Sequence, residues 1–181
     1  MDRIRVAIVG VGNCASSLVQ GVTYYAQPGR GAEGLIHERI GAWGAGDIAF
    51  VLAIDTDARK VGLDLAEAIF AAPNCTAVFQ PGIAPTGTVV RMGRRLDGMA
   101  DHMQDLPDGR GFEPAALPDA TRADIVAALV ESGADVMVNF LPVGSEEATR
   151  FYMECALEAG VAVVNCMPVF IASNPEWEAR F

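Results

Sequence analysis

Lysine is nearly missing from this sequence: Lys60 is the single one among 181 residues, and basic residues number 13 against 23 acidic ones. A net charge of −10 repels polyanions, which excludes nucleic acid as the main partner. Phosphate stays open as a ligand, because backbone N–H groups can hold it without side-chain cations. No run of about 18 apolar residues occurs, and Met1-Asp2-Arg3 leads directly into a strand-like segment instead of a signal-peptide core. The expectation is a cytoplasmic protein with no membrane partner. The four cysteines, Cys14, Cys75, Cys155 and Cys166, lack CxxC or Cys/His ligand spacing, so no metal site is expected and all four read as reduced packing residues. Cys14 is included, since no neighbouring cation is there to activate it as a nucleophile. Histidine is scarce too. His37 and His102 fall in irregular segments with no Ser or Cys in a nucleophile context, and neither reads as catalytic.

What is present is apolar: 51% of the residues are hydrophobic, enough for one domain with a substantial core. Residues 4–9 (Ile-Arg-Val-Ala-Ile-Val) are β-branched, stop at Gly10 and carry apolar side chains on both faces, as in a central parallel strand. Helical spacing of Cys14, Leu18, Val22 and Tyr25 predicts a helix over residues 13–25. Residues 26–47 hold six glycines and one proline and read as an irregular insertion. A second buried strand follows at 48–54, ending at Asp55, then a helix candidate at 60–72 and a short strand candidate at 74–80. Residues 81–118 are rich in glycine and proline and read largely as loop, a second insertion. Thr121 and Asp124 have capping-box spacing, opening a helix whose apolar face is Ile125, Val126, Leu129 and Val130. A strand at 135–140, a helix at 145–159 facing inward through Ala148, Phe151, Tyr152, Cys155 and Ala159, and a strand at 161–165 complete the order. This βαβα alternation predicts an α/β fold: a doubly wound, mostly parallel sheet of Rossmann type with helices on both faces, occupying residues 1–181 as one dinucleotide-binding domain.

Strand C-termini in such a sheet share one edge, which gathers Gly10, Asp55, Phe140-Leu141-Pro142 and Cys166-Met167-Pro168 at one crevice. Gly10 permits a tight bend, Gly12 lets the backbone approach a pyrophosphate, and Ala15 lets helix and strand pack closely. Residues 13–16 carry no carboxylate, leaving the helix N-terminus to an anion, whereas Ser145-Glu146-Glu147 fills the field of the later helix with its own charge. Asp55 lies 45 residues after Gly10, with the 26–47 insertion accounting for the extra length, and can accept ribose hydroxyls. Asp57 competes for that role, or caps a turn. Arg59 and Lys60 keep NADP open through a 2′-phosphate contact, but NAD is the favoured cofactor. Two other readings stand beside this one: a different NAD(P)-linked oxidoreductase, and a catalytically silent dinucleotide-binding or partner-binding module.

Five blocks carry a closer resemblance: Val-Ala-Ile-Val-Gly-Val-Gly-Asn-Cys-Ala-Ser-Ser-Leu at 6–18, Ala-Pro-Thr-Gly at 84–87, Leu-Asp-Gly at 96–98, Phe-Leu-Pro-Val-Gly-Ser-Glu-Glu-Ala at 140–148 and Met-Pro-Val-Phe-Ile-Ala-Ser at 167–173. In family order and across nearly the whole chain, they resemble the bacterial and archaeal type of myo-inositol-1-phosphate synthase. That resemblance implies an NAD-dependent isomerase that turns glucose 6-phosphate into inositol phosphate through oxidation, enolisation, aldol cyclisation and reduction. It also implies cofactor contacts at Gly10, Val11, Gly12, Asn13, Cys14 and Asp55, with Leu141, Pro142, Val143 and Gly144 bordering the cofactor. Members of this type run to about twice this length, their lysine-bearing catalytic domain following the point that corresponds to Phe181. The expectation is therefore a cofactor cradle with no catalytic residue of its own, using glucose 6-phosphate only if a catalytic half is supplied. Its partners would be a complementing chain or further copies of itself, docked on an exposed apolar edge or face. A fragment, a truncated gene product and half of a split enzyme all fit.

Overall fold

The computed structural model describes residues 3–99, 106 and 111–181. Five parallel strands form the main sheet: β1 (Ile4–Val9), β4 (Ile48–Asp55), β5 (Val90–Met92), β6 (Val136–Asn139) and β7 (Ala162–Asn165), in the spatial order β5-β4-β1-β6-β7. From β1 the chain winds outward through β4 to β5, then crosses back to build β6 and β7 on the other side. This reversal puts the topological switch point at the C-terminal end of β1, where open α/β sheets hold their ligands.

Both faces of β1 are buried, as its unbroken apolar run predicts. Ala7 and Val9 join one core with Leu52, Ile54, Met137, Leu129 and Tyr152, while Val6 and Ile8 join another with Ala53, Ala15, Val19 and Leu65. Helix α1 (Asn13–Tyr25) belongs to the second core, and α3 (Arg122–Ser132) and α4 (Glu146–Ala159) to the first, so the sheet is covered on both sides. A short α2 (Leu65–Ala68) precedes β5, and a short α5 (Pro175–Glu178) seats Trp177 against the first core.

Several expectations need correction. The buried face of α1 is Ala15, Ser16, Val19 and Gln20, not Cys14, Leu18, Val22 and Tyr25. Gln20 goes inside because its amide is bonded at both ends: Nε2 donates to Ser16 Oγ and Ala77 O, and Oε1 accepts from Phe79 and Gln80. Residues 60–72 form only the single turn of α2, because Asp64 caps there and its carboxylate also accepts from Thr86 and Gly87, pulling the chain out of helix. Residues 74–80 form no strand; Cys75, Thr76, Ala77, Phe79 and Gln80 bond instead to Asn13 and Gln20 of α1. The edge strand β5 lies in the segment read as loop, and residues 100–105 and 107–110 of that segment, with His102, fall outside the described residues. The 26–47 insertion is largely irregular but holds a small hairpin, β2 (Arg39–Ile40) with β3 (Trp43–Gly44), and His37 is exposed within it. Val130 of α3 faces solvent at 60% exposure, and Ala128 is buried in its place. Of the cysteines only Cys155 is a core residue, its thiol pushed up to about 11 by burial; Cys14, Cys75 and Cys166 are exposed.

Candidate functional site

Gly10 ends β1 with φ +89°, and a Cβ there would sit 2.7 Å from Phe140 O. Only glycine meets both conditions, so the turn is glycine for the sake of the fold. Gly12 is different. Its backbone is extended (φ −92°, ψ −158°), and an added Cβ would meet no atom within 4 Å. Neither conformation nor internal packing requires glycine there, and the space beside it is open. Gly12 is also the N-cap of α1: it offers no side-chain cap, the first turn carries no acid, and the amides of Gly12, Asn13 and Cys14 find no acceptor among the described residues. Unsatisfied amides at the positive end of a 13-residue helix, beside a backbone bare of side chain, fit a pyrophosphate.

The corresponding end of α4 is closed. Asp97 accepts from the amides of Glu147 at 2.6 Å and Ala148 at 2.9 Å, and Gly98 (φ +81°) lies so close to Ser145 that any Cβ would overlap its hydroxyl. Burial pushes the Asp97 carboxyl up, but the amides of Ala148, Glu147 and Glu146 outweigh that and hold it below 3.8. Of the two helices that begin at the crevice, α1 alone presents free amides.

Asp55, at the end of β4, is partly buried. Its Oδ2 accepts the Val11 amide at 2.7 Å and its Oδ1 the amides of Thr56 and Asp57. The carboxylate thus ties the second strand to the glycine turn, and Oδ2 keeps a lone pair for a hydroxyl. Asp57 is 1% exposed and does not face the crevice: it accepts from Arg59 side chain and backbone and from the Glu113 amide. Burial pushes its carboxyl up, and the bonds from Arg59 and Glu113 prevail and hold it down. The capping alternative describes Asp57. Arg59 is committed to that same carboxylate, to Glu113 and to Gly111 O. Lys60, read as a group for a 2′-phosphate, is 3% exposed and lies beneath the glycine turn, its Nζ donating to Val11 O at 2.7 Å and Asn74 Oδ1 at 2.8 Å.

Asn13 turns its amide toward the 74–77 segment, accepting from the Cys75 amide at 2.8 Å and from Thr76 Oγ1. Cys14 is exposed on the first turn of α1, not packed in the core. Leu141, Pro142, Val143 and Gly144 form the turn after β6 beside Gly10; Val143 is 83% exposed and Gly144 takes φ +97°. Asn139, fully buried, fixes that turn: its Oδ1 accepts the Leu141 amide and its Nδ2 donates to Thr149 Oγ1 and to Asn165 Oδ1 on β7. Sequence reading missed Asn139, Asn74 and Asp97. Only Asp97 carried a signal, as part of the Leu-Asp-Gly block. Among the described residues no cluster of His, Cys, Asp and Glu suits a metal ion. Two surface depressions, of 310 and 380 Å³, lie away from the crevice, one in the 26–47 insertion and one among Arg122, Glu154 and Arg180.

Comparison with known proteins identifies the relatives of this site. The inositol-3-phosphate synthase of Mycobacterium tuberculosis is 51% identical over 180 residues, 98% of this chain and 47% of its own length, and that of Corynebacterium glutamicum is 50% identical over the same span. On sequence, the chain belongs with the inositol-3-phosphate synthases, as a part of their length. It spans about half the length of the curated relatives it matches. The solved structure of Ari2 superposes with a TM-score of 0.79 at 33% identity, over 99% of this chain and 50% of that one. A myo-inositol-1-phosphate synthase-related protein from Thermotoga maritima shares the fold, with a TM-score of 0.74 at 22% identity, over 98% of this chain and 51% of that one. No family model matches the chain.

Proposed function

We propose that this chain is the NAD-binding portion of an inositol-3-phosphate synthase, an isomerase that converts glucose 6-phosphate to inositol 3-phosphate. The observation that carries the reading is Gly12: a glycine that the fold does not demand, at the uncapped start of α1, in a chain half identical to synthases of that name. The Gly12, Asn13 and Cys14 amides would hold the pyrophosphate, and Asp55 Oδ2 would accept an adenosine ribose hydroxyl. Leu141 to Gly144 would border the cofactor on the β6 side. When bound, NAD supplies a hydride acceptor that is regenerated within one turnover, so the reaction has no net redox change. NAD is favoured over NADP because the Asp55 carboxylate would repel a 2′-phosphate brought beside it, while Arg59 is paired with Asp57 and Glu113 and Lys60 is buried beneath the glycine turn. The groups that stabilise the sugar oxyanions are expected outside this chain, whose single lysine is buried under the cofactor turn.

A chimera tests the whole reading. With this chain in place of the matching half of the Corynebacterium glutamicum enzyme, inositol phosphate should form from glucose 6-phosphate and NAD, and the 181 residues alone should form none. A folded chimera that binds glucose 6-phosphate but neither binds NAD nor cyclises the sugar contradicts it.

A further inference from the structure

Lys60 is the chain's one lysine and it is buried, an arrangement that costs free energy and calls for a reason. Burial lowers its pKa, and the carboxylates of Asp55 and Asp57 oppose that change. Its ammonium and the Asn74 amide converge on one atom, Val11 O, from 2.7 Å (Lys60 Nζ) and 3.1 Å (Asn74 Nδ2). Lys60 Nζ also donates to Asn74 Oδ1 at 2.8 Å, and Asn74 Nδ2 to Ile69 O at 2.9 Å, so the two side chains brace each other and the end of α2. On the other side of the same residue, the Val11 amide is held by Asp55 Oδ2. Val11 is thus fixed through both its N–H and its C=O.

A planar trans peptide points the C=O of one residue and the N–H of the next in opposite directions. With Val11 O drawn inward to Lys60 and Asn74, the Gly12 N–H is turned away from them, and it is one of the amides without an acceptor among the described residues. We infer that Lys60 and Asn74 are positioning residues that lock the Val11–Gly12 peptide so that the Gly12 N–H faces the cofactor's pyrophosphate. Without them the peptide is free to rotate, and the ordering of that donor falls to the ligand at the moment of binding. The buried ammonium also places a positive charge behind the positive end of α1, a repulsion that a bound pyrophosphate offsets. This inference rests on the dinucleotide reading above and names how that site is preorganised.

The test uses two ligands, ADP-ribose, which carries the pyrophosphate, and adenosine, which lacks it, titrated calorimetrically into the 181-residue chain and its variants. Lys60→Met and Asn74→Ala should each weaken ADP-ribose about tenfold while leaving adenosine within about twofold. In ¹⁵N-labelled protein, ADP-ribose should move the Gly12 amide resonance in the wild type and move it less in either variant. If Lys60→Met does not fold, Asn74→Ala decides the matter by the same two readouts. A folded variant that binds ADP-ribose as well as the wild type, or loses both ligands equally, overturns the positioning role. A wild type that binds neither ligand overturns the dinucleotide reading itself.

Discussion

At the residue scale, two glycines two positions apart do opposite work. Gly10 is required by the protein, because a side chain there meets Phe140 O and the backbone has a positive φ. Gly12 is not required by the protein. Gly10→Ala should therefore cost on the order of 3 kcal/mol of stability, read as a lower denaturation midpoint. Gly12→Ala should leave that midpoint unchanged and weaken NAD about tenfold or more, its methyl occupying the space of the pyrophosphate. Equal effects of the two substitutions on stability would remove the distinction. The pattern of glycines was legible in the sequence, but their different reasons were not, because one reason is a contact with a residue 130 positions away. The same blindness hid Asn139, which is buried, and Asn74, which is partly buried, because the partners of both come from distant strands and loops. Asp135 shows a local charge whose role depends on pH. Its bonds from Arg5 hold the carboxyl at about 2 instead of 3.8. Its contribution is complete above the ordinary value and vanishes as the pH falls through about 2. Asp135→Asn should therefore lower stability at neutral pH, with the difference from wild type closing in acid; a difference that persists below that range would contradict the assignment.

At the element scale, strands and long helices were readable and short pieces were not. The bounds of β1 and α1 follow from an apolar run stopped by Gly10 and a helical stretch that begins after Gly12. The capping box at Thr121 forms as its spacing predicts, with Asp124 accepting the Thr121 amide at 2.8 Å and Thr121 Oγ1 accepting the Asp124 amide. Three of the four residues read as the inward face of that helix are inward, Ile125 and Leu129 buried and Val126 packed against the core, while Val130 is exposed. α2 was read too long and β5 was missed because each is set by tertiary bonds: Asp64 to Thr86 and Gly87 for the first, pairing with β4 for the second. Helix starts carry the functional contrast. Asp97→Ala should free the amides at the start of α4 and cost about 1 kcal/mol, checked by urea denaturation, without changing NAD affinity. Because the Asp97 carboxyl is held below its ordinary value, its contribution is present above that value and lost as the pH falls through the lowered one. A loss of NAD affinity matching that of Gly12→Ala would mean that the cofactor uses α4 instead of α1.

For the whole molecule, the alternation of elements was enough to specify a doubly wound sheet, and the strand order puts Gly10 and Asp55 on the adjacent strands β1 and β4 at its C-terminal edge. No helix among the described residues is long and apolar enough to cross a membrane. β7 forms one edge of the sheet, with Val164 at 49% exposure, and Val143 and Phe170 stand exposed in the turns after β6 and β7. The central claim concerns the cofactor, and calorimetric titration of NAD into the folded 181-residue chain tests it most directly. The account predicts one NAD per chain, weaker binding of NADP, and a weakening of both by about tenfold or more in Gly12→Ala; a folded chain that gives no binding signal with NAD, or binds it equally well in Gly12→Ala, would contradict it.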